Sequence, residues 1–233
     1  MTNLFEKDPY LKEFESKIIN VNQELKTLEL ENTAFYAKGG GQPGDTGIIE
    51  IDGEKLEVID TTKNGGSIFN IVENIKNAEK EKKIIGKINW KKRYKHMRMH
   101  SALHLICSAI PFDVTGGQIG FEKSRLDFND PEKNINKEEI EEKINTLVKE
   151  NHSISYEYLD SKILEERPEI VRTMSVKPPQ INGKIRLVRI GNIDYQPCGG
   201  THVNSTLEIG EIKVSKVENK GKMNRRVNIL LND

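Results

Sequence analysis

Up to about residue 90, apolar residues come in short runs broken by turn chemistry rather than in a helical stripe. Residues 14–21 (FESKIINV) and 26–32 (KTLELEN) are apolar-rich without clean alternation. The next runs pair across turns. TGIIEI (46–51) faces KLEVID (55–60) across Asp52-Gly53-Glu54, and KLEVID faces SIFNIV (67–72) across residues 63–66. Asp-Gly and Asn-Gly-Gly supply the positive φ that tight hairpin turns need. With KIIGKINW (83–90) added, the pattern predicts roughly five to seven strands, suited to a small barrel or sandwich.

The pattern changes at Trp90. Residues 90–110 run without Gly or Pro and stop at Pro111, which predicts a helix. Short strands are expected around IGFEKSRLDFN (119–129). A second helix starts at Asn136, with Glu139 completing a capping-box pattern and Ile140, Ile144, Leu147 and Val148 forming its apolar stripe. ISYEY (154–158) alternates like a strand, and 160–167 reads as a short helix ended by Pro168. IRLVRI (185–190), EIKVSKV (211–217) and RVNILL (226–231) read as strands. The expected architecture is α+β: a small β-barrel domain over 1–89, then an α+β domain over 90–233.

Composition narrows the function. The 233 residues hold 36 Lys+Arg against 36 Asp+Glu, which argues against a uniformly basic nucleic-acid coat and against an acidic tail. No apolar run is long enough to span a bilayer and the first residues lack a signal-peptide core, so a cytoplasmic protein without a membrane partner is expected. The two cysteines, Cys107 and Cys198, are weak evidence for a disulfide, and Cys107 reads as a core residue.

The first helix carries His96, His100 and His104, and residues four apart on a helix share a face. Two imidazoles so placed can reach one zinc ion. Cys198-Gly199-Gly200-Thr201-His202 offers a thiol and an imidazole, with glycines that let the backbone fold tightly. The two pairs supply three nitrogens and one sulfur, or three protein ligands and a water. Spacing alone leaves His96/His100 and His100/His104 both open. Each pair by itself has an ordinary reading, a solvated helix face or a buried thiol. HSALH has Ser101 where a zinc peptidase would carry its Glu, so peptidase chemistry is excluded.

RMHSALH (98–104) followed by CGGTHV (198–203) resembles the editing domain shared by alanyl-tRNA synthetases and the stand-alone alanyl-tRNA editing proteins of the AlaX group. The editing domain of threonyl-tRNA synthetases is a more distant relative. TAFYAKGGGQPGDTG (33–47) is similar to the glycine-rich motif of the synthetase's inserted barrel, and TGGQIGFEKSRLDF (115–128) to the segment after the histidine helix. The likeness spans nearly the whole chain and fits the medium-length type. It implies a zinc hydrolase that deacylates mischarged tRNA(Ala), chiefly Ser-tRNA(Ala) and also Gly-tRNA(Ala). It also implies His100, His104, Cys198 and His202 as ligands of one zinc ion per chain. If all four bind permanently the site is closed and looks structural, so catalysis needs a loose ligand or expanded coordination.

No carboxylate lies inside either metal motif. Asp127 is a candidate base, but a structural partner for Arg125 is the stronger reading. Family members carry a glutamine after the histidine helix; Gly116 stands at that position here, with Gln118 two residues on. Serine differs from alanine by one hydroxyl, and a site that hydrogen-bonds that hydroxyl rejects alanine well. The resemblance places Thr33 near that pocket, against the plain alternative of a strand-edge threonine satisfied by backbone. Gln42 is a second substrate candidate. GGGQPGDTG lacks the GK[ST] ending of a P-loop, so no nucleotide cofactor is expected and a tight barrel turn is the better reading.

Lys91, Lys92, Arg93, Lys95 and Arg98 open the histidine helix, and Lys213, Lys216, Lys220, Lys222, Arg225 and Arg226 crowd the C-terminal region. Lys91, Arg93, Lys222 and Arg225 are the expected contacts to the tRNA(Ala) acceptor end, against the alternative of solvated faces. Rival functions are a non-catalytic zinc-containing tRNA-binding module, a threonyl-type editing domain and a metal hydrolase of small esters. The oligomeric state stays unknown from the sequence.

Overall fold

A computed structural model describes residues 2–173, 180–181 and 183–232, divided into two compact units, Met1–Lys95 and His96–Asp233. The first unit is a closed barrel of six strands. These are β1 (Glu13–Asn22), β2 (Thr27–Leu30), β3 (Gly47–Ile51), β4 (Glu54–Asn64), β5 (Ser67–Val72) and β6 (Lys83–Ile88), joined in the order β1-β2-β5-β4-β3-β6. The β3–β4 hairpin turns at Asp52 (φ 51°) and Gly53 (φ 83°), and the β4–β5 hairpin at Gly65 (φ 57°) and Gly66 (φ 89°). Both are two-residue turns with two positive φ angles, whose twist matches that of the flanking strands.

Inward-facing Phe14, Ile18, Leu28, Leu30, Phe35, Ile49, Ile51, Leu56 and Val58 fill the barrel. A fully buried aliphatic of this size contributes about 1.5–3 kcal/mol relative to exposure. Gly86 on β6 faces Phe14, whose ring would lie 2.4 Å from an added Cβ, so glycine is required where the aromatic fills the interior.

Helix α1 (Trp90–Ala109) contains the division between the units, which falls between Lys95 and His96. Asn89 caps it, its side-chain oxygen accepting from the amide of Lys92 at 3.3 Å. The second unit continues with β7 (Val114–Gln118), β8 (Ser124–Asn129), α2 (Lys137–Lys149), β9 (Ile154–Asp160), β10 (Lys184–Ile190), β11 (Asp194–Pro197), β12 (Ile212–Lys220) and β13 (Asn224–Leu231). One antiparallel sheet runs β12-β13-β8-β7; in the other, β9 and β11 pair with β10. Asn136 caps α2 by accepting from the amides of Glu138 and Glu139. The helix is tied to β12 through Asn145, whose amide donates to Ile212 O at 2.7 Å and whose oxygen accepts from Ile212 N at 2.9 Å.

The α+β class with a leading barrel matches the expectation from the sequence. One strand lies elsewhere than expected: the partner of β8 is VTGGQ, not the IGF run. Gly117 explains why that strand was hidden, because a Cβ there would sit 2.9 Å from Leu126 Cδ2, so close pairing demands a residue of poor strand propensity. The strand β11 was not anticipated at all. Among the described residues, no helix is long and apolar enough to cross a membrane.

Candidate metal centre

Helix α1 is polar along much of its sequence, yet His100, Ser101 and His104 are all buried. The one-turn spacing sets the rings of His100 and His104 on one face, with centroids 5.4 Å apart. The loop after β11 brings His202 against both, at 4.3 Å from His100 and 4.6 Å from His104. Cys198 Sγ lies 3.4 Å from Nε2 of His100 and 3.4 Å from Nε2 of His202. The four ligand atoms all fall within 4.8 Å of one another. A tetrahedral ion at about 2.3 Å from sulfur and about 2.0–2.1 Å from nitrogen would separate the two donors by about 3.5 Å, so this donor set fits a thiophilic metal. The geometry selects His100 and His104; His96 is outside the group. The imidazoles are sealed in, whereas Cys198 is half-buried.

Two of the four candidate ligands, His104 and His202, are aimed by a neighbour. His104 Nδ1 lies 2.7 Å from Asp194 Oδ2, which turns Nε2 of the ring toward the cluster. Gln196 Nε2 donates to both oxygens of Asp194, at 3.1 and 3.0 Å, and so fixes that carboxylate. Ser101 Oγ is 3.2 Å from Nδ1 of His202 and accepts from Val203 N at 3.3 Å. The residue that excluded peptidase chemistry therefore orients a candidate ligand. Asp194 and Gln196 were not singled out in the sequence. Their signal is alternation: Asp194, Gln196 and Cys198 are spaced by two, so an extended segment running into the cysteine puts all three on one side.

Electrostatics favour the ligating form at two of the four groups. Burial raises the Cys198 thiol, but the histidines around it, His100 first, outweigh burial and hold it well below the ordinary range. Burial and His100 together push His202 well down, so it stays neutral. Burial opposes protonation of His104, but the Asp194 hydrogen bond outweighs it and lifts the pKa to about 10. A thiolate and a neutral imidazole are the forms that coordinate metal, so Cys198 and His202 are ready to bind, whereas His104 gives up its proton when a metal enters. Cys107 behaves as the sequence suggested. It is buried, and burial pushes its thiol up to about 12.

The other residues singled out in the sequence are not part of this group. Thr33 is fully buried in the first unit; its hydroxyl oxygen accepts from Phe35 N at 3.1 Å, and its proton has no acceptor among the described residues. Gln42 is buried and closes a turn with Gly39 through two backbone hydrogen bonds, across Gly40 (φ 55°) and Gly41 (φ 80°). The glycine run is thus a tight turn, as expected. Gln118 is exposed at the end of β7, 3.4 Å from Arg125 Nε. Asp127 sits between Arg125 (2.5 Å) and Arg226 (2.6 and 2.8 Å), the structural role rather than the catalytic one.

Lys91 and Lys222 are exposed, and Arg225 is half-buried against Asn219. Arg93 corrects an expectation. It is fully buried, donating to Pro9 O, to Ala34 O and to both oxygens of Asp45, so its guanidinium is spent inside the barrel unit and offers nothing to an RNA phosphate.

Comparison with known proteins places these motifs. The family model described as the threonyl and alanyl tRNA synthetase second additional domain matches residues 185–228, and that of class II (A) tRNA synthetases matches residues 6–92. The chain is 39% identical to an alanyl-tRNA editing protein AlaX-M of Methanosarcina mazei, covering 97% of this chain and 94% of that protein. It is 37% identical to an AlaX-M of Saccharolobus solfataricus, covering 96% of each. Similarity to an AlaX-L of Pyrococcus horikoshii is 34%, over 94% of this chain and 55% of that protein.

Proposed function

The chain belongs to the AlaX-M family of alanyl-tRNA editing proteins, and from that premise we propose that it is a zinc-dependent hydrolase of mischarged tRNA(Ala). Serine is the amino acid it chiefly removes, with glycine second, and it works in the cytoplasm on the acceptor end of the tRNA. The observation that carries this reading is the convergence of His100, His104, Cys198 and His202, from two motifs far apart in sequence, on one point. When bound there, zinc supplies a Lewis acid that can polarise an ester carbonyl and lower the pKa of water to about 7.

The chain's own residues do the rest. Asp194 and Ser101 hold His104 and His202 in the orientation that presents Nε2. Thr33, whose hydroxyl proton has no acceptor among the described residues, reads the serine hydroxyl; against alanine that donor would stay unpaired, which is how such a site discriminates. Gln42 and Gln118 are assigned to substrate contact. Lys91, Lys222 and Arg225 meet acceptor-stem phosphates, so binding weakens as salt rises.

One observation favours a second reading. Four protein ligands together form a closed set, the mark of a structural zinc, which would make the chain a non-catalytic tRNA-binding module. Hydrolysis of Ser-, Gly- and Ala-tRNA(Ala), with and without a chelator, separates the two. The proposed enzyme hydrolyses the seryl ester much faster than the alanyl ester and stops on chelation, and Thr33→Val loses the seryl activity selectively. Binding without hydrolysis would leave the structural module.

A further inference from the structure

The loop that supplies Cys198 and His202 is built around two adjacent glycines, which fit a tight turn but carry the largest backbone entropy to be frozen. Two side chains grip it from behind. Arg186 on β10 is buried, and its Nη1 donates to Cys198 O at 2.7 Å and to Gly200 O at 2.9 Å. Its own carbonyl accepts from Cys198 N at 3.1 Å. Tyr156 on β9 donates from its hydroxyl to His202 O at 3.3 Å.

Tyr156 lies opposite Val188 in the β9–β10 register, and Arg186 opposite Tyr158, so Tyr156 and Arg186 are diagonal neighbours on one face. The guanidinium carbon sits 3.9 Å from the centroid of the Tyr156 ring, a cation–π stack. Carbonyls at alternate positions, 198, 200 and 202, thus all accept from one stacked pair. Nε and Nη2 of Arg186 have no hydrogen-bond acceptor among the described residues. A buried guanidinium with unused donors carries a desolvation cost, which its two bonds to the loop and its stack on Tyr156 offset in part.

We propose that Arg186 and Tyr156 are positioning residues that hold the Cys198–His202 loop in its ligating conformation and thereby set the affinity of the site for zinc. The inference deepens the zinc reading above and rests on it. Arginine suits the position because its flat guanidinium stacks on the Tyr156 ring while one of its nitrogens donates to both carbonyls.

The test measures zinc affinity of the full chain by competition with a chromophoric chelator, alongside thermal unfolding of the zinc-free protein. Arg186→Met is expected to weaken zinc binding roughly 10–100-fold, the range found for residues that orient metal ligands. Arg186→Lys should recover part of that loss. Tyr156→Phe, which keeps the ring and deletes one hydrogen bond, should weaken binding by about 2–10-fold. With cobalt(II) as the probe, the variants should also show a changed thiolate–metal absorption band, a change that loss of general stability would not produce.

Zinc affinity and cobalt spectrum unchanged in Arg186→Lys and Tyr156→Phe would overturn the proposal, even if melting temperatures fell. Should Arg186→Met fail to fold, those two milder variants decide alone. A parent chain that binds no zinc would overturn the zinc reading itself and the proposal with it; a parent that binds one zinc beside unaffected variants would overturn this proposal only.

Discussion

Each unit buries a dense group of polar side chains, and the two groups are built on opposite plans. In the barrel unit, Arg93 and Asp45 satisfy each other and the backbone around them: the guanidinium reaches Asp45, Pro9 O and Ala34 O, and the carboxylate also accepts from Tyr36 N at 2.7 Å. Donors meet acceptors, and the group is saturated. In the second unit, three imidazoles and one thiol bring their ligand atoms within 4.8 Å of one another, a donor set that suits a cation. Buried charge that closes on itself is scaffold. Buried ligand atoms that converge are fit to hold a metal ion.

The comparison breaks first, and furthest, at the ligands. His104→Ala or His202→Ala should abolish stoichiometric zinc and cut Ser-tRNA(Ala) hydrolysis by more than the ~100-fold that a ligand-orienting residue is worth. The far-ultraviolet circular dichroism should be retained, because neither substitution removes a backbone hydrogen bond of a helix or sheet. Next comes the saturated pair. Arg93→Met leaves the Asp45 charge buried without its partner and should cost about 3–5 kcal/mol in urea unfolding. Zinc content at low denaturant should stay unchanged; a variant as stable as the parent would show that the pair is not scaffold.

Asp194→Asn keeps the shape but removes the charge that fixes His104, and zinc affinity measured by chelator competition should fall roughly 10–100-fold. The smallest effect concerns acid. Burial raises the pKa of Asp127, but Arg226 and Arg125 outweigh it and the net shift is downward. A depressed carboxylate stabilises the fold above its unfolded pKa of about 3.9 and loses that contribution as pH falls through the lower folded value. Asp127→Asn should therefore lower the urea midpoint near neutral pH and flatten its decline in the acid range, while a parallel decline in both proteins would contradict the assignment.

Much of this was legible in the sequence for physical reasons. Asp-Gly and Asn-Gly-Gly tolerate the positive φ that two-residue hairpins require, so the β3–β4 and β4–β5 hairpins announce themselves, and Asn136 does the same for α2. Spacing pointed to a histidine pair on α1 and to Cys198 and His202 but left His96/His100 and His100/His104 both open; the family resemblance supplied the choice of His100 and His104. What stayed hidden depends on contacts distant in sequence. Arg93 reads as one more cation in KKRYK until its partner Asp45 is known, and only folding pairs them. Asp194 and Gln196 sit in a strand broken by Pro197, short and polar, with no apolar pattern to mark it. Gly117 disguises β7 because the sheet needs close approach there more than it needs propensity.

The most direct measurement is stepwise return of zinc to metal-stripped protein, following bound zinc per chain and the rate of Ser-tRNA(Ala) hydrolysis in the same samples. Activity should rise from near zero in proportion to zinc and level off at one ion per chain, with Ala-tRNA(Ala) left largely intact throughout. Full hydrolysis by the metal-free protein, or one bound zinc with no hydrolysis at all, would contradict the account.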